Sequence, residues 1–328
     1  MGISLHAETR FGKGIEADAG AFALPNTASL YPLPGDYNDT DITGLLLTQM
    51  LFDERVTLFF GKIHTVDLVT LIFPEAGNGL EGFWNINGLV PALPWFRFWN
   101  LSIWGGGGWT NQEEGIQSGL FFFGQENVST TWEFAESFED GVGLFGFYRF
   151  FYEIAGKPGF VMVGAGGATK KYPSLAPSDF IVIPGAGPVS TKGKRPWDFA
   201  AYVQQVFWQA EDDPKRRAQF FMGGTGGNDN PNFSNWTVFA SIEAFGPMAS
   251  RAQDRMGISF WYSGLSNDFV DLLDGLGFRA RDTWGFELYY NFEINPWLHL
   301  TPDLQLVQNE DKDDDFAVIP GIRLVLDF

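Results

Sequence analysis

The chain has 328 residues, a formal net charge of −19, 17% aromatic residues, 40 glycines and no cysteine. This balance argues against a nucleic-acid surface, which needs a basic stripe, and the lack of cysteine excludes disulfides, thiolate chemistry and Cys-ligated zinc. No stretch reaches the roughly 20 uninterrupted apolar residues of a membrane helix, whereas many aromatic residues with many glycines favour short strands joined by turns.

Alternation of apolar and polar residues, which indicates a strand with one apolar face, recurs along the chain. In chain order it predicts strands over 3–11, 15–23, 42–52, 56–63, 83–90, 95–104, 116–123, 127–136, 142–154, 159–166, 199–210, 215–222, 234–245, 254–263 and 284–294, with two more within 295–307 and 316–328. Residues 1–14 show no basic region followed by an apolar one. We therefore expect that a signal sequence, and in one alternative the first strand or strands as well, precedes residue 1.

The predicted connections alternate between short and long. Short turns fall at 12–14, 53–55, 91–94, 124–126, 156–158, 211–214 and near 295, and the segments between them are 24–41, 64–82, 105–115, 167–198, 223–233, 264–283 and 309–315. Short periplasmic turns with long extracellular loops are typical of an outer-membrane barrel, and a soluble sandwich has no reason to keep that parity. Segment 167–198 is long enough to enter the lumen as a constriction.

The stretch NPWLHLTPDLQLV, residues 295–307, shows the alternation most clearly. One face carries four leucines and Pro302, and the other carries Trp297, His299, Thr301, Asp303 and Gln305. In a soluble sandwich the leucine face would point inward, and in a membrane barrel it would point into lipid. The parity of the turns favours lipid.

We therefore predict an all-β fold, a transmembrane antiparallel β-barrel of the outer membrane, as one domain over residues 1–328. About 16 strands are expected, within a range of roughly 14–18, because bacterial barrels use even numbers. The terminal Phe328, with apolar residues at every second position before it, resembles an outer-membrane assembly signal.

Polar and aromatic side chains on the inward faces form a candidate pore lining for solute contact. A carboxylate–guanidinium mixture offers donors and acceptors to a polar solute, and indole rings offer faces on which apolar C–H groups stack. The alternatives are a ladder of ion pairs that stiffens the wall and, for each Trp, a belt at the lipid interface. The candidates are Arg149, Glu153, Glu243, Trp261, Glu287, Glu293, Trp297, His299, Asp303, Gln305 and Arg323.

Metal, cofactor and catalytic sites find little support in the sequence. The three histidines, His6, His64 and His299, lie in no ligand or nucleophile motif. The acidic loop 309–315 lacks the central glycine and distal Glu of a calcium-binding EF-hand loop. We expect no cofactor, no metal ion and no catalysis, with an outer-membrane hydrolase as the least favoured alternative.

Several stretches resemble the carbohydrate-selective porins of the OprB type. They are YNFEINPWLHLTPDLQLV with the closing PGIRLVLDF, the glycine-rich FFMGGTGGNDNPNF at 220–233, and RAQDRMGISFWYSGLS at 251–266. The resemblance is strong over about 200–328 and looser from about 40 to 200. It implies a 16-stranded barrel for diffusion of mono- and small oligosaccharides, without catalysis.

The predicted function is passive carbohydrate diffusion through the outer membrane of a Gram-negative bacterium. The alternative is a plugged structural barrel that docks other envelope proteins. Expected partners are sugars as solutes, membrane lipid, and either a homotrimer or other envelope proteins, with no nucleic acid.

Overall fold

In the part of the chain that the structure describes, fourteen strands form one antiparallel sheet and follow one another in chain order, apart from two small ribbons inserted between the seventh and eighth of them. The computed structural model describes residues 1–9, 15, 19–22, 24, 26, 40–73, 81–90, 93–185 and 187–327, without the side chain of Phe96. Phe328, the predicted assembly signal, lies outside these residues.

The strands of the large sheet are β1 (Gly2–Thr9), β2 (Thr40–Leu51), β3 (Val56–His64), β4 (Ser102–Gln112), β5 (Gly115–Gly124), β6 (Val142–Ile154), β7 (Lys157–Ala168), β12 (Trp197–Gln209), β13 (Arg217–Gly227), β14 (Ser234–Phe245), β15 (Arg255–Leu265), β16 (Thr283–Asn295), β17 (Leu298–Gln308) and β18 (Ala317–Leu326). The ribbons pair β8 (Tyr172–Pro173) with β11 (Gly193–Lys194), and β9 (Phe180–Ile183) with β10 (Gly187–Ser190). The helices are α1 (Thr65–Ile72), α2 (Ile86–Leu89) and α3 (Asn267–Gly275), with 3-10 turns at Leu93–Arg97, Glu136–Phe138 and Pro177–Asp179.

The exposure of alternate residues shows whether the leucine face of residues 295–307 points into the barrel or out of it. On β17, Leu304 is 42% exposed on the outer surface of the sheet, whereas Thr301 is 0% exposed on the inner surface. Leu304 pairs with Leu288 and Pro320 on the neighbouring strands, so the outer surface is apolar there. An apolar outer face with polar groups inside is the arrangement of a barrel in lipid.

The sheet curves around the connection between β3 and β4. Residues of this connection contact β1 through Asp67, β6 through the backbone of Ile72, and β16 and β18 near Trp84. One segment can reach strands from both ends of the sheet only if the sheet wraps around it. The wall is therefore that of a barrel, as predicted.

Most strand predictions are confirmed, and the structure again alternates short with long connections along most of the sheet. The predicted short turns 91–94 and 124–126 are wrong, because both lie in long connections, and the predicted long segment 105–115 is mostly β4, which a turn of two residues, 113–114, joins to β5. The bounds of β6 and β14 agree with the prediction to the residue, and the turns after β6 and β16 span only 155–156 and 296–297. The 14 strands in the sheet fall at the lower end of the predicted range.

Three predicted strands are wrong, and one strand of the large sheet was missed, as were the four short ribbon strands within segment 167–198. Residues 83–90 contain α2, residues 95–104 mostly form a 3-10 turn and a loop, and 127–136 is a loop. The missed strand is β4, whose run Gly105–Gly108 has no side chains to alternate. These glycines are required by close packing, because a Cβ at Gly107 would lie 2.3 Å from the carbonyl oxygen of Leu120. The predicted strand 15–23 lies largely outside the described residues.

Segment 167–198, predicted to be long enough to enter the lumen, packs in its described part on loops at one end of the barrel. It forms the two ribbons at the rim of the barrel, where Val182 is 80% exposed. Its inner part packs on neighbouring loops instead: the Asn230 side chain contacts the Ser174 hydroxyl at 2.8 Å and Asp268 of α3 at 2.8 Å. Among the described residues, every helix falls short of the length and apolarity that a membrane span requires.

A charge on the outer surface should destabilise the barrel according to its depth. We expect Leu304→Arg, near the middle of β17, to lower the free energy of unfolding by about 2–4 kcal/mol, and Leu326→Arg, at the end of β18, by about 0–1 kcal/mol. Urea unfolding in lipid vesicles, followed by Trp fluorescence, measures both. Equal losses at the two positions would contradict the assigned orientation of the strands.

Candidate functional site

The connection between β3 and β4 lies inside the barrel, and we call its described residues, 65–73, 81–90 and 93–101, the lumen segment. Helix α1 begins where the His64 ring accepts a hydrogen bond from the backbone N–H of Asp67 at 3.3 Å. Its apolar residues Val66, Leu68 and Ile72 are buried. The helix therefore packs its apolar side against the inner wall.

Aromatic side chains line the wall where the lumen segment packs. The Phe73 ring lies 5.7 Å from the Tyr202 ring and 5.4 Å from the Phe221 ring, centroid to centroid. Further along the segment, the Trp99 ring lies 4.7 Å from that of Phe123 and 5.2 Å from that of Phe145. Burial of such rings removes a large apolar area from water, so this contact stabilises the segment in the lumen.

A buried carboxylate on β16 fixes the middle of the lumen segment. Glu287 accepts hydrogen bonds from the backbone N–H of Trp84 and, at 3.0 Å, from that of Asn85. The Asn85 amide in turn donates to the Gln305 side chain at 3.2 Å, and its carbonyl oxygen caps α2 by accepting from the backbone N–H of Asn87 at 3.0 Å. A buried acceptor that binds two peptide N–H groups determines where this backbone lies.

Arg323 on β18 holds the adjacent residues. Its guanidinium donates to the carbonyl oxygen of Gly82 at 2.7 Å, lies 5.2 Å from the centroid of the Trp84 ring and 3.7 Å from the Asp303 carboxylate. Gly321 makes room for the indole, since a Cβ there would lie 2.2 Å from the Trp84 ring. The ion pair Arg323–Asp303 therefore serves to position the segment.

Arg149 on β6 binds the other end of α1. It donates to the carbonyl oxygen of Ile72 in the last turn of the helix and, at 3.4 Å, to that of Ile116. Its guanidinium also lies 4.7 Å from the centroids of the Phe73 and Phe160 rings. A cation at a helix C-terminus satisfies orphan carbonyls and opposes the helix dipole.

The lumen segment is also held at the outer rim. Arg97 donates to the carbonyl oxygen of Pro231 at 2.8 Å, and its guanidinium lies 3.6 Å from the centroid of the Phe233 ring. Burial lowers the pKa of Arg97 to about 10, so the side chain stays charged at neutral pH.

Glu243 belongs to a separate buried cluster on the wall. It accepts from the Arg255 guanidinium at 2.6 Å and from the Tyr289 hydroxyl at 2.6 Å. Neither Arg255 nor Tyr289 was among the predicted lining residues, although the alternation on β15 and β16 places both on the inner face. This cluster crosslinks β14, β15 and β16.

The remaining predicted residues are not gathered at one place. Trp261 is fully buried in the wall, and Trp297 lies in the turn between β16 and β17, where it is 52% exposed. His299 contacts the Asn291 side chain at 3.1 Å, and Glu293 lies opposite it on β16. Glu153 lies at the rim of a cavity near the short turns.

This cavity, of about 560 Å³, opens between the end of α1 and the inner wall. Among its lining residues are Leu71 and Ile72 of α1, and Arg149, Phe151, Glu153, Phe160, Gln204 and Arg217 of the wall. A second hollow of about 870 Å³ lies beside it and shares Glu114 and Ile116. The cavity combines aromatic rings with carboxylate, amide and guanidinium groups, which is the chemistry that recognises a polyhydroxylated solute with apolar C–H faces.

The chain is similar in sequence and in fold to known porins. The family described as carbohydrate-selective porin, OprB family, matches residues 3–328. The structure of Pseudomonas putida OprB at high pH is similar, with 16% identity, a TM-score of 0.70, and coverage of 99% of this chain and 82% of that chain. The low-pH structure of the same protein has 15% identity, a TM-score of 0.49, and coverage of 88% and 67%. No curated protein matches the chain significantly.

Removal of the Glu287 carboxylate should release the middle of the lumen segment. We expect Glu287→Ala to lower the free energy of unfolding, by about 1–3 kcal/mol for each N–H group left without its acceptor, and to increase open-channel noise in planar bilayers. Glu211→Ala, at an exposed carboxylate in a short turn, is the matched control. An unchanged noise spectrum and stability in Glu287→Ala would contradict the positioning role.

Proposed function

The chain belongs to the OprB family of carbohydrate-selective porins, and from that premise we propose that sugars diffusing through its barrel make their solute contacts in the cavity beside α1. Membership in the family makes it a sugar porin of the outer membrane, and the comparisons lend no support to a plugged scaffold. The proposal extends to a Gram-negative host, transport without a catalytic step and a homotrimer, as the resemblance implies.

The observation that carries this proposal is that some inward polar groups bind the lumen segment, whereas Glu153 does not. Glu287, Gln305 and Arg323 direct hydrogen bonds to the lumen segment. Glu153, by contrast, is exposed at the cavity and makes no side-chain hydrogen bond within the described residues. A sugar that binds Glu153 displaces water rather than a protein partner, so this side chain suits solute contact better than the groups that hold the segment.

The cavity has the composition that carbohydrate binding requires. Phe151 faces it beside Phe160, with ring centroids 6.4 Å apart in an edge-to-face arrangement. A ring face offers stacking to the C–H face of a pyranose, while Glu153 accepts from hydroxyls and Arg217 donates to them. Because both signs of charge are present, the site favours neutral polyols over either class of ion.

Current block by sugars in planar bilayers tests the assignment. We expect the double substitution Phe151→Ala and Glu153→Ala to weaken block by glucose and maltooligosaccharides about 5- to 150-fold, since one stacking contact and one hydrogen bond contribute about 0.5–1.5 kcal/mol each.

The control is Phe150→Ala on the same strand, whose ring is 56% exposed on the outer surface. Its sugar block should equal that of the wild type. Equal block in the wild type and the double variant would place solute contact elsewhere in the lumen. A barrel that conducts ions but shows no sugar block would contradict the proposed transport itself.

A further inference from the structure

Four ionisable side chains from three elements meet inside the barrel, away from the cavity. His6 and Glu8 come from β1, His64 ends β3, and Asp67 lies in the first turn of α1. The rings of His6 and His64 stack with centroids 4.0 Å apart and planes 14° apart. They flank Gly44 of β2, where a Cβ would lie 3.1 and 3.2 Å from the Cβ atoms of His64 and His6, so the glycine permits the stack.

The two imidazole rings have the same orientation. Their Nδ1 atoms both face Asp67, at 2.7 Å from His6 and 3.4 Å from His64. Their Nε2 atoms both face one oxygen of Glu8, at 3.6 Å from His6 and 3.5 Å from His64. One carboxylate therefore orients both rings while the opposite ring edges converge on the other carboxylate.

We propose that His6 Nε2, His64 Nε2 and the Glu8 carboxylate form a binding site for a divalent transition-metal ion, with Zn²⁺ as the best match. Three ligands about 2.1 Å from a tetrahedral zinc ion lie about 3.4 Å from one another. The two nitrogen–oxygen separations are close to this value, and all three ligand atoms lie within 4.8 Å of one another.

Burial supplies a second, independent observation. The other carboxylate oxygen of Glu8, Oε2, is buried and has no hydrogen-bond partner among the described residues. A buried carboxylate oxygen without a donor is costly, and a cation beside Glu8 removes that cost.

Asp67 occupies the position of an outer-shell partner. Histidines that bind a metal through one ring nitrogen usually donate the other N–H to a carboxylate, which fixes the tautomer and the ring plane. The Nδ1–H of His6, directed at Asp67, leaves the Nε2 lone pair of His6 free of a proton in the neutral ring. His64 reaches the same tautomer when its Nδ1, which accepts from the backbone N–H of Asp67, instead donates to the Asp67 carboxylate 3.4 Å away. Because the ring planes lie only 14° apart, the two Nε2 lone pairs are nearly parallel, and ligation of a common ion requires the rings to turn out of their stack so that both Nε2 atoms point at it.

The ligand set selects the class of metal. Two imidazoles with one carboxylate suit Zn²⁺, Co²⁺, Ni²⁺ and Cu²⁺, whereas Ca²⁺ and Mg²⁺ prefer oxygen ligands. The sequence predicted no metal site because the three histidines lie in no ligand motif. The pairing of β1, β2 and β3 brings them together, and an ion there would tie α1 to two strands of the wall.

Calorimetric titration of the full, refolded chain in detergent with ZnCl₂ tests the site. We expect one ion per chain, and an affinity that falls at least tenfold in Glu8→Gln, where a ligand is lost at constant shape. Asp67→Asn should weaken binding by about 10–100-fold, as loss of an outer-shell partner does. His299→Ala, at the only other histidine, is the matched control and should bind as the wild type does.

Heat-modifiable migration on gels confirms that each variant is folded, and a second measurement uses the wild type alone. In protein labelled with ¹⁵N-histidine, Zn²⁺ should shift the ring resonances of two histidines and leave the third in place. Absence of saturable binding, equal affinity in folded Glu8→Gln, or a shift confined to His299 would each overturn the site in favour of a simple ion-pair cluster. None of these outcomes depends on sugar transport.

Discussion

The lumen of this barrel is organised by the hydrogen bonds from two peptide N–H groups, those of Trp84 and Asn85, to the buried Glu287 carboxylate. A segment inside a barrel must satisfy its backbone without bulk water, and the wall supplies the partners. Glu287 binds the middle of the segment, while Arg149 binds the end of α1. Apolar packing stabilises the segment but is not directional. The hydrogen bonds therefore determine where the segment lies and which part of the lumen it leaves open.

The wall groups that position the lumen segment are therefore different from the groups proposed to contact the solute. The charged groups of β16 to β18 face inward as a pore lining would, yet their donors and acceptors are directed to the lumen segment and to one another. Space remains near the short turns, where Phe151 and Glu153 line a cavity of about 560 Å³. A charged residue in the lumen of a porin can thus shape the path without touching the solute.

The sequence predicted the wall well because a membrane barrel imposes a period of two on every strand. The same reasoning failed where alternation of apolar and polar residues did not come from a strand, and where a strand had no alternation. In residues 83–90 the polar Asn85 and Asn87 are buried and hydrogen-bonded like their apolar neighbours, so their alternation marks no strand face, and the glycines of β4 leave no pattern at all. Parity correctly placed Asp303, Gln305 and Arg323 inside, but their partners come from a distant loop that only the tertiary structure brings near. The His6–His64 stack was hidden for the same reason.

The central claim is that the lumen segment is held against β16 to β18 by these wall groups. Because the chain has no cysteine, the pair Asn85→Cys and Gln305→Cys, at side chains 3.2 Å apart, can be joined as a disulfide by a mild oxidant without competing thiols. Crosslinking of the folded protein, assayed by the migration of the unfolded chain, should be efficient, and it should fall sharply when Glu287→Ala is added. No crosslink in the first variant, or the same yield in both, would contradict the account.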